Sequence, residues 1–225
     1  DVGIAPGDSR SQVIAAVKKG SNFEWSATEF LSNSTDVFAV VPAQGTPVVG
    51  CYVDNEYSPA AFVKKKTATQ LRIFRDAGDV VISVPTGSLA ARCGPPVSGR
   101  STVFVLAKAK GKGPNFVYGF RGASRVLKAR ISPALSSPTI GPLSRGPLLP
   151  ATVYVLAKRK RSQALQVLSS SGRWTEISLA ALPKGSRIIQ VVGVYHPSGS
   201  YLVLQLTNRS KETSYKVIPI VPTIP

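Results

Sequence analysis

The segment 101–110 reads STVFVLAKAK, an apolar run that ends in alternating lysines. The segment 151–160 reads ATVYVLAKRK, and the two agree at seven of ten positions with an offset of 50 residues. Short runs of Val, Phe, Tyr and Leu that end in charged or turn-forming residues are typical of β-strands. The pair therefore predicts either a duplicated β unit or two unrelated β-hairpins, whose sequences are similar because a strand followed by a basic turn needs similar residues.

The same pattern extends over most of the chain on both sides of these segments. From Val37 to Val221, short apolar runs are separated by Gly, Pro, Ser or Lys at intervals of roughly 8–12 residues. Phe116, Tyr118 and Phe120 alternate along one such run, which predicts a strand face that packs in a core. We expect a mainly β protein, an antiparallel sandwich or jelly-roll-like barrel, with a β-propeller-like repeat as the alternative.

The N-terminal residues 1–34 have a different pattern. Ser9 and Gln12 have the spacing of a capping box before an apolar run, and Gly20 follows as a stop signal. We expect a short helix there, with a second helical turn from Glu24 to Leu31. The predicted organisation is an N-terminal arm over 1–34 and a β domain over 35–225.

The segment 132–150 is rich in proline. It contains Pro133, Pro138, Pro142, Pro147 and Pro150. Because proline has no N–H to donate to a β-ladder, this segment is not expected to be a central strand. We expect a long ordered loop, a linker, or an arm that lies over a neighbouring subunit.

The charge balance is strongly positive. The 225 residues include 28 Lys and Arg against 11 Asp and Glu, a formal net charge of +17, while 43% of the residues are hydrophobic. Such a protein is folded and attracted to anionic surfaces, so RNA, DNA, a sulfated glycan or an acidic protein are the candidate partners. No apolar run is long enough for a membrane-spanning helix.

Four basic clusters follow predicted strands, and they are the candidate polyanion-binding residues. In an antiparallel meander every second turn points to the same end, which allows several of these clusters to converge on one positive face. The alternative is that lysines near turns protect edge strands from pairing with other chains. Any nucleic-acid contact is expected to be to the backbone, without readout of the bases. The clusters are Lys64, Lys65 and Lys66; Lys108, Lys110 and Lys112; Lys158, Arg159, Lys160 and Arg161; and Arg209 and Lys211.

Residues with catalytic chemistry are sparse. The one histidine, His196, lies in YHPSGS, which predicts a hairpin turn. A nucleophile, base and amide order can be written as Cys51, His196 and Asn208, but Cys51 lies in a predicted strand without a basic neighbour. Cys51 and Cys93 are expected to be buried free thiols, with a disulfide as the alternative. We therefore predict no enzyme activity, no cofactor and no metal site.

The Met-free beginning, which suggests a processed product or a fragment, combines with the β pattern, the Pro-rich segment and the basic turns. In this combination the chain resembles the coat or projection proteins of small icosahedral viruses. The resemblance implies a jelly roll that self-assembles with copies of itself or other capsid subunits, located in the virion. It also implies that basic residues line a genome or that loops are displayed to a receptor, and with the positive charge this makes nucleic acid, RNA above all, or a sulfated glycan the expected partner. The feature of such proteins that this chain lacks is a strongly Arg-rich N-terminal arm, since residues 1–20 contain only Arg10, Lys18 and Lys19 as basic residues. Genome packaging by an N-terminal tail is therefore not expected.

Two other function classes fit the sequence. One is an RNA-binding β module of a cytoplasmic or nuclear ribonucleoprotein, in which a large positive charge is ordinary. The other is a glycan- or receptor-binding β domain, which the offset of 50 residues between the two segments favours.

Overall fold

The computed structural model describes the backbone of residues 2–4, 12–19, 22–29, 34–42, 48–53, 56–64, 69–73, 78–97, 100–109, 113–146, 148–169 and 172–220. It describes the side chains of residues 51, 60, 69–73, 78–97, 101–109, 113–146, 148–169 and 172–220. All of the regular secondary structure among these residues is β-strand, so the prediction of a mainly β protein is confirmed. The described residues contain no helix that is long and apolar enough to cross a membrane.

Strands that are consecutive in sequence pair antiparallel and form five meanders within the described part of the chain. Meander 1 consists of β1 (Val2–Ile4), β2 (Gln12–Lys19), β3 (Asn22–Glu29) and β4 (Ser34–Pro42). Meander 2 consists of β5 (Val48–Val53), β6 (Glu56–Lys64), β7 (Thr69–Ile73) and β8 (Val80–Val84). Meander 3 consists of β9 (Ser88–Val97), β10 (Arg100–Lys108), β11 (Asn115–Arg121) and β12 (Ser124–Arg130).

Meander 4 consists of β13 (Ser136–Leu143), β14 (Thr152–Arg159), β15 (Ser162–Leu168) and β16 (Trp174–Ile177). Meander 5 has three strands, β17 (Arg187–His196), β18 (Gly199–Thr207) and β19 (Thr213–Ile220). A jelly roll pairs strands that are distant in sequence. Here sequence neighbours pair, apart from one link between Arg100 and Val53, so the described topology gives the jelly-roll expectation no support.

The predicted N-terminal helix is wrong. Residues 12–19 form β2, which pairs with β3 from Gln12 opposite Glu29 to Lys19 opposite Asn22. The second predicted helical turn overlaps β3 and is wrong as well. An isolated helix of this length is marginal in water, and the β-branched Val13, Ile14 and Val17 favour an extended chain once a partner strand is available. The predicted boundary between residues 34 and 35 lies at the beginning of β4.

The Pro-rich segment 132–150 is not a loop throughout. Its residues Ser136–Leu143 form β13, which corrects the prediction of a loop or linker. Among the described strands it pairs with β14 alone and lies at the edge of its sheet, in agreement with the expectation that it would not be central. An edge strand tolerates Pro138 and Pro142 because one side of it needs no ladder hydrogen bonds.

Three hydrophobic clusters lie between consecutive meanders. The first joins Leu71 and Ile82 of meander 2 to Val103 and Phe120 of meander 3. The second joins Phe104 and Val117 of meander 3 to Val153 and Ala164 of meander 4. The third joins Leu165 and Val167 of meander 4 to Leu202 and Leu204 of meander 5. Meanders 3 and 4 are therefore covered on both faces.

This packing explains the sequence repeat. In β10, Val103, Val105 and Ala107 point into the first cluster, whereas Phe104 and Leu106 point into the second. A strand whose two faces are both buried has a continuous apolar run instead of an alternating one. The equivalent strand of meander 4, β14, divides its side chains between the second and third clusters in the same way.

The first strands of meanders 2 to 5 contact one another in sequence: β5 with β9, β9 with β13, and β13 with β17. A side chain on Gly193 of β17 would put its Cβ 2.8 Å from the Cα of Leu143 in β13, so glycine permits this close approach. Cys51 of β5 and Cys93 of β9 form a disulfide, with their Cα atoms 5.3 Å apart. The expectation of free thiols is therefore wrong, because the two residues meet only when these strands do.

Candidate polyanion-binding surface

The hairpin between β14 and β15 carries one of the predicted basic clusters. Arg159 pairs with Ser162, so Lys160 and Arg161 form a two-residue turn. Lys160 has a φ of 50°. A positive φ at the first central position is typical of a type II′ turn, which favours glycine there, and an L-residue in this region costs about 1 kcal/mol.

A groove of about 590 Å³ lies beside this turn. Lys158, Lys160 and Arg161 form one wall, and Arg187 at the beginning of β17 forms part of another. All four of these residues are exposed. Apolar surface from Leu179, Leu182 and Pro183 completes the groove, together with Ser162, Gln163 and Ser186. Among the described residues that line the groove none is acidic, so its potential is positive.

Gln163 holds the two sides of the groove together. Its Nε2 donates to the Ile188 carbonyl oxygen at 2.8 Å, and the Ile188 N–H donates to its Oε1 at 2.7 Å. A side-chain amide that completes a ladder in this way satisfies both of its polar ends. The basic turn of meander 4 and Arg187 of meander 5 are therefore positioned by one residue.

Arg159 is the exception in its cluster. Its Nη1 lies 2.8 Å from Glu176 Oε1, and its Nη2 lies 2.5 Å from Glu176 Oε2. The hydrogen bonds from Arg159 lower the pKa of Glu176 below its ordinary value. Arg159 is thus engaged in a two-point ion pair with a carboxylate and does not line the groove.

The turn between β18 and β19 brings Arg209 and Lys211 to the same end of meander 5 as Arg187. Arg187 pairs with Thr207, the last residue of β18. Asn208 closes the turn, because its Nδ2 donates to Glu212 Oε2 at 2.6 Å and its Oδ1 accepts from the Glu212 N–H at 3.0 Å. The structure therefore places this turn beside the Arg187 side of the groove.

The Lys108 cluster is not part of this groove. Lys108 ends β10 opposite Asn115, is exposed, and donates its N–H to the Gly87 carbonyl oxygen at 2.9 Å. Lys64 ends β6, but its side chain lies outside the described residues, as do Lys65, Lys66, Lys110 and Lys112. The structure brings Lys158, Lys160 and Arg161 together with Arg187 in the groove, and it places the turn that carries Arg209 and Lys211 next to Arg187 in the sheet of meander 5.

The basic clusters share one topological position. Strands β6, β10 and β14 are each the second strand of a meander and end at Lys64, Lys108 and Arg159, and the fourth cluster follows β18, the second strand of meander 5. Strand β2 of meander 1 ends at Lys18 and Lys19. Sequence reasoning missed Lys18, Lys19 and Arg187, since only the strand pairing shows that they occupy equivalent or adjacent positions.

The candidate catalytic residues Cys51, His196 and Asn208 do not line the groove. Cys51 is buried in its disulfide, so the order Cys51, His196 and Asn208 has no free thiol. His196 ends β17 before the predicted hairpin turn, is exposed, and has its Nδ1 2.7 Å from Ser198 Oγ. The described residues contain no group of three or more His, Cys, Asp or Glu that could hold a metal ion.

A scan against protein-family models finds no match for this chain, and a search of curated proteins finds no relative.

Proposed function

We propose that the protein is a non-catalytic binding protein that holds a polyanion, through its phosphate or sulfate groups, on the basic turns at one end of its meanders. One observation carries the proposal: Lys158, Lys160, Arg161 and Arg187, from two meanders, line one groove without a described acidic neighbour. Single surface cations attract anions weakly, whereas several cations held around one groove neutralise neighbouring phosphates together.

We further propose that the meanders are arranged radially, as the blades of a β-propeller are. Three features support this arrangement: the clusters between consecutive meanders, the contacts among their first strands, and the repeat of four-stranded units. In a radial array, the turn after the second strand of every blade lies on the same face. The four predicted clusters, with Lys18 and Lys19 as a fifth, then share that face.

Closure of such a ring requires meander 5 to pack against meander 1. The face of meander 5 directed away from the third cluster is exposed and apolar, with Val192 43%, Val217 53% and Tyr215 69% exposed. Each junction already described buries this kind of face against the next meander. The sheet of β1–β4 is therefore the proposed occupant of this face.

RNA is the favoured polyanion, with sulfated glycan as the alternative. For a single-stranded nucleic acid, the logarithm of the binding constant falls by about 0.7 per phosphate contact for each tenfold rise in salt concentration. The test is the affinity for a single-stranded RNA and for heparin over a series of salt concentrations, for the protein with Lys158, Lys160, Arg161 and Arg187 all changed to Ala. We expect weaker binding and a flatter salt dependence for the polyanion that uses the groove.

A matched control removes the same charge elsewhere. Arg125, Lys128, Arg173 and Lys216 are exposed and do not line the groove. Their change to Ala lowers the net charge equally, so the two variants differ only in where the charge was lost. Equal effects of the two sets would contradict a localised site and favour a diffuse basic surface.

Assembly into a virion, as a shell or projection subunit, is the second part of the proposal. The Pro-rich segment presents Leu148, 84% exposed, and Leu149, 48% exposed, which suits a contact with another subunit. Light scattering at low and high salt tests it, with Leu148→Ser and Leu149→Ser expected to reduce the particle mass. A monomer that binds RNA in a salt-sensitive manner would instead favour the cellular ribonucleoprotein module.

A further inference from the structure

A second cavity, of about 390 Å³, lies where meanders 3 and 4 meet. It is lined by Thr102 and Phe104 of β10, Arg121 of β11, Leu127 of β12, and Arg145 and Thr152 around the connection to β14, with Val126, Pro150, Ala151, Leu168 and Ser169. Its volume is in the range of sites for small organic ligands.

Arg121 is the unusual residue of this cavity. Its Nε is buried and has no hydrogen-bond partner among the residues that the structure describes. A buried donor on a cation is costly unless an acceptor meets it, and the cost is larger for a charged group than for a neutral one. The Arg121 guanidinium group therefore has hydrogen-bonding capacity that its described protein neighbours do not use.

The remaining lining defines which acceptor fits. Arg145 adds a second guanidinium group, and no acidic residue is among the described residues of the wall. Thr102 and Thr152 occupy the same position in the two copies of the sequence repeat, and both line the cavity. Guanidinium groups bind carboxylate and phosphate oxygens through two parallel hydrogen bonds, so the polar part of the cavity suits one anionic group.

The other walls are apolar. Phe104 is 2% exposed and Leu168 is also buried, while Leu127 is partly buried against the second cluster. A bare inorganic anion would leave this surface uncovered, whereas a flat apolar group would cover it. The ligand that fits the whole cavity is a small anion with an apolar body.

We propose that this cavity binds a small amphipathic anion, an aryl or alkyl phosphate or carboxylate, with Arg121 and Arg145 on the anionic group and Phe104 and Leu127 on the apolar body. The site is separate from the basic groove. Strand β15 begins in the groove at Ser162 and ends in this cavity at Leu168. Six residue steps along a strand span about 20 Å, so the two sites lie at opposite ends of meander 4.

Isothermal titration with phenyl phosphate tests the proposal, with inorganic phosphate and benzyl alcohol as the probes that lack one half of the ligand. We expect phenyl phosphate to bind more tightly than either partial probe. Arg121→Gln should weaken its binding about tenfold or more, as the loss of a charge-assisted hydrogen bond does, and Arg145→Gln should weaken it as well. Arg125→Gln, on the exposed surface of β12, is the matched control and should bind normally.

Two further variants separate loss of the ligand site from unfolding and from loss of the basic groove. Should Arg121→Gln unfold, as a thermal melt would show, Arg121→Lys keeps the charge but removes the planar guanidinium group that makes two parallel hydrogen bonds, and it should weaken binding as well. The variant that lacks Lys158, Lys160, Arg161 and Arg187 should bind phenyl phosphate normally, which separates this site from the proposed polyanion surface. No binding of phenyl phosphate, tighter binding of inorganic phosphate, or binding lost only in that four-residue variant would overturn the proposal.

Discussion

Gln163 in β15 and Ile188 in β17 exchange two hydrogen bonds, of 2.8 and 2.7 Å, and so join meanders 4 and 5 beside the basic groove. Changing Gln163 to Ala leaves the Ile188 N–H and carbonyl without these partners, and each buried group so orphaned costs about 1–3 kcal/mol. We expect a lower free energy of unfolding in urea and weaker binding of RNA, because Arg187 is no longer held beside Lys160. Gln190→Ala, at an exposed position of β17, is the control, and equal effects of the two changes would contradict the role of Gln163.

Lys160 is expected to lower the stability of its turn and to strengthen polyanion binding. Its φ of 50° is a conformation that glycine adopts freely. Lys160→Gly should therefore raise the free energy of unfolding by about 0.5–1 kcal/mol while it weakens heparin binding. Lys160→Asn, which tolerates a positive φ, should weaken binding without a loss of stability. Destabilisation by Lys160→Gly would show that the turn has another conformation.

Glu176 holds Arg159 out of the groove. Glu176→Gln breaks the two-point ion pair and leaves Arg159 available, so heparin affinity at neutral pH should rise. Asp79→Asn, which removes the partner 2.8 Å from Arg72 Nε in meander 2, makes the same change of charge and is the control. A rise of equal size in the control would assign the effect to net charge alone.

The same pair has a predictable pH dependence. The folded-state pKa of Glu176 lies below its ordinary value of 4.5, chiefly because Arg159 donates hydrogen bonds to it. A depressed carboxyl pKa contributes stability that is present above the ordinary pKa and is lost as the pH falls through the folded-state value. The difference in unfolding midpoint between the protein and Glu176→Gln should thus be small at neutral pH and vanish in acid, because both groups are exposed. A difference that grows in acid would contradict this.

The disulfide between Cys51 and Cys93 closes a loop of 42 residues between two meanders. Replacing both cysteines by Ala should lower the free energy of unfolding by about 2–4 kcal/mol. A thiol titration of the denatured, unreduced protein should detect no free thiol, since the described residues contain no other cysteine. Detection of two thiols would show that both cysteines are free, as expected from the sequence, and would contradict the disulfide.

Val217 tests the closure of the ring. An aspartate in the middle of a covered apolar face is left desolvated, so Val217→Asp should lower the free energy of unfolding by about 1–3 kcal/mol if meander 1 packs there. Val126→Asp, at a residue that is 58% exposed on β12, is the control and should cost about 0.5 kcal/mol or less. Equal and small effects at the two positions would indicate an open array.

Much of the fold was predictable because it depends on local patterns. Strands separated by Gly, Pro and Lys are local features, and so the β class and the positions of Lys64, Lys108 and Arg159 at strand ends were correctly predicted. The core placement of Tyr118 and Phe120 was correct for the same reason. The helix over residues 9–20 failed because the apolar spacing of Val13, Ile14 and Val17 fits either period, and only the partner strand β3 selects the extended form.

By itself, the sequence determined the β class, the positive charge and the recurrence of basic residues after apolar runs, since each depends on residue types near one another in the chain. Only the tertiary structure decided which of these residues act together. It joined Cys51 to Cys93, added Arg187 to the groove and turned Arg159 toward Glu176. The physical reason is that these relationships depend on strand register and on packing between meanders, which bring together side chains 17 to 42 residues apart.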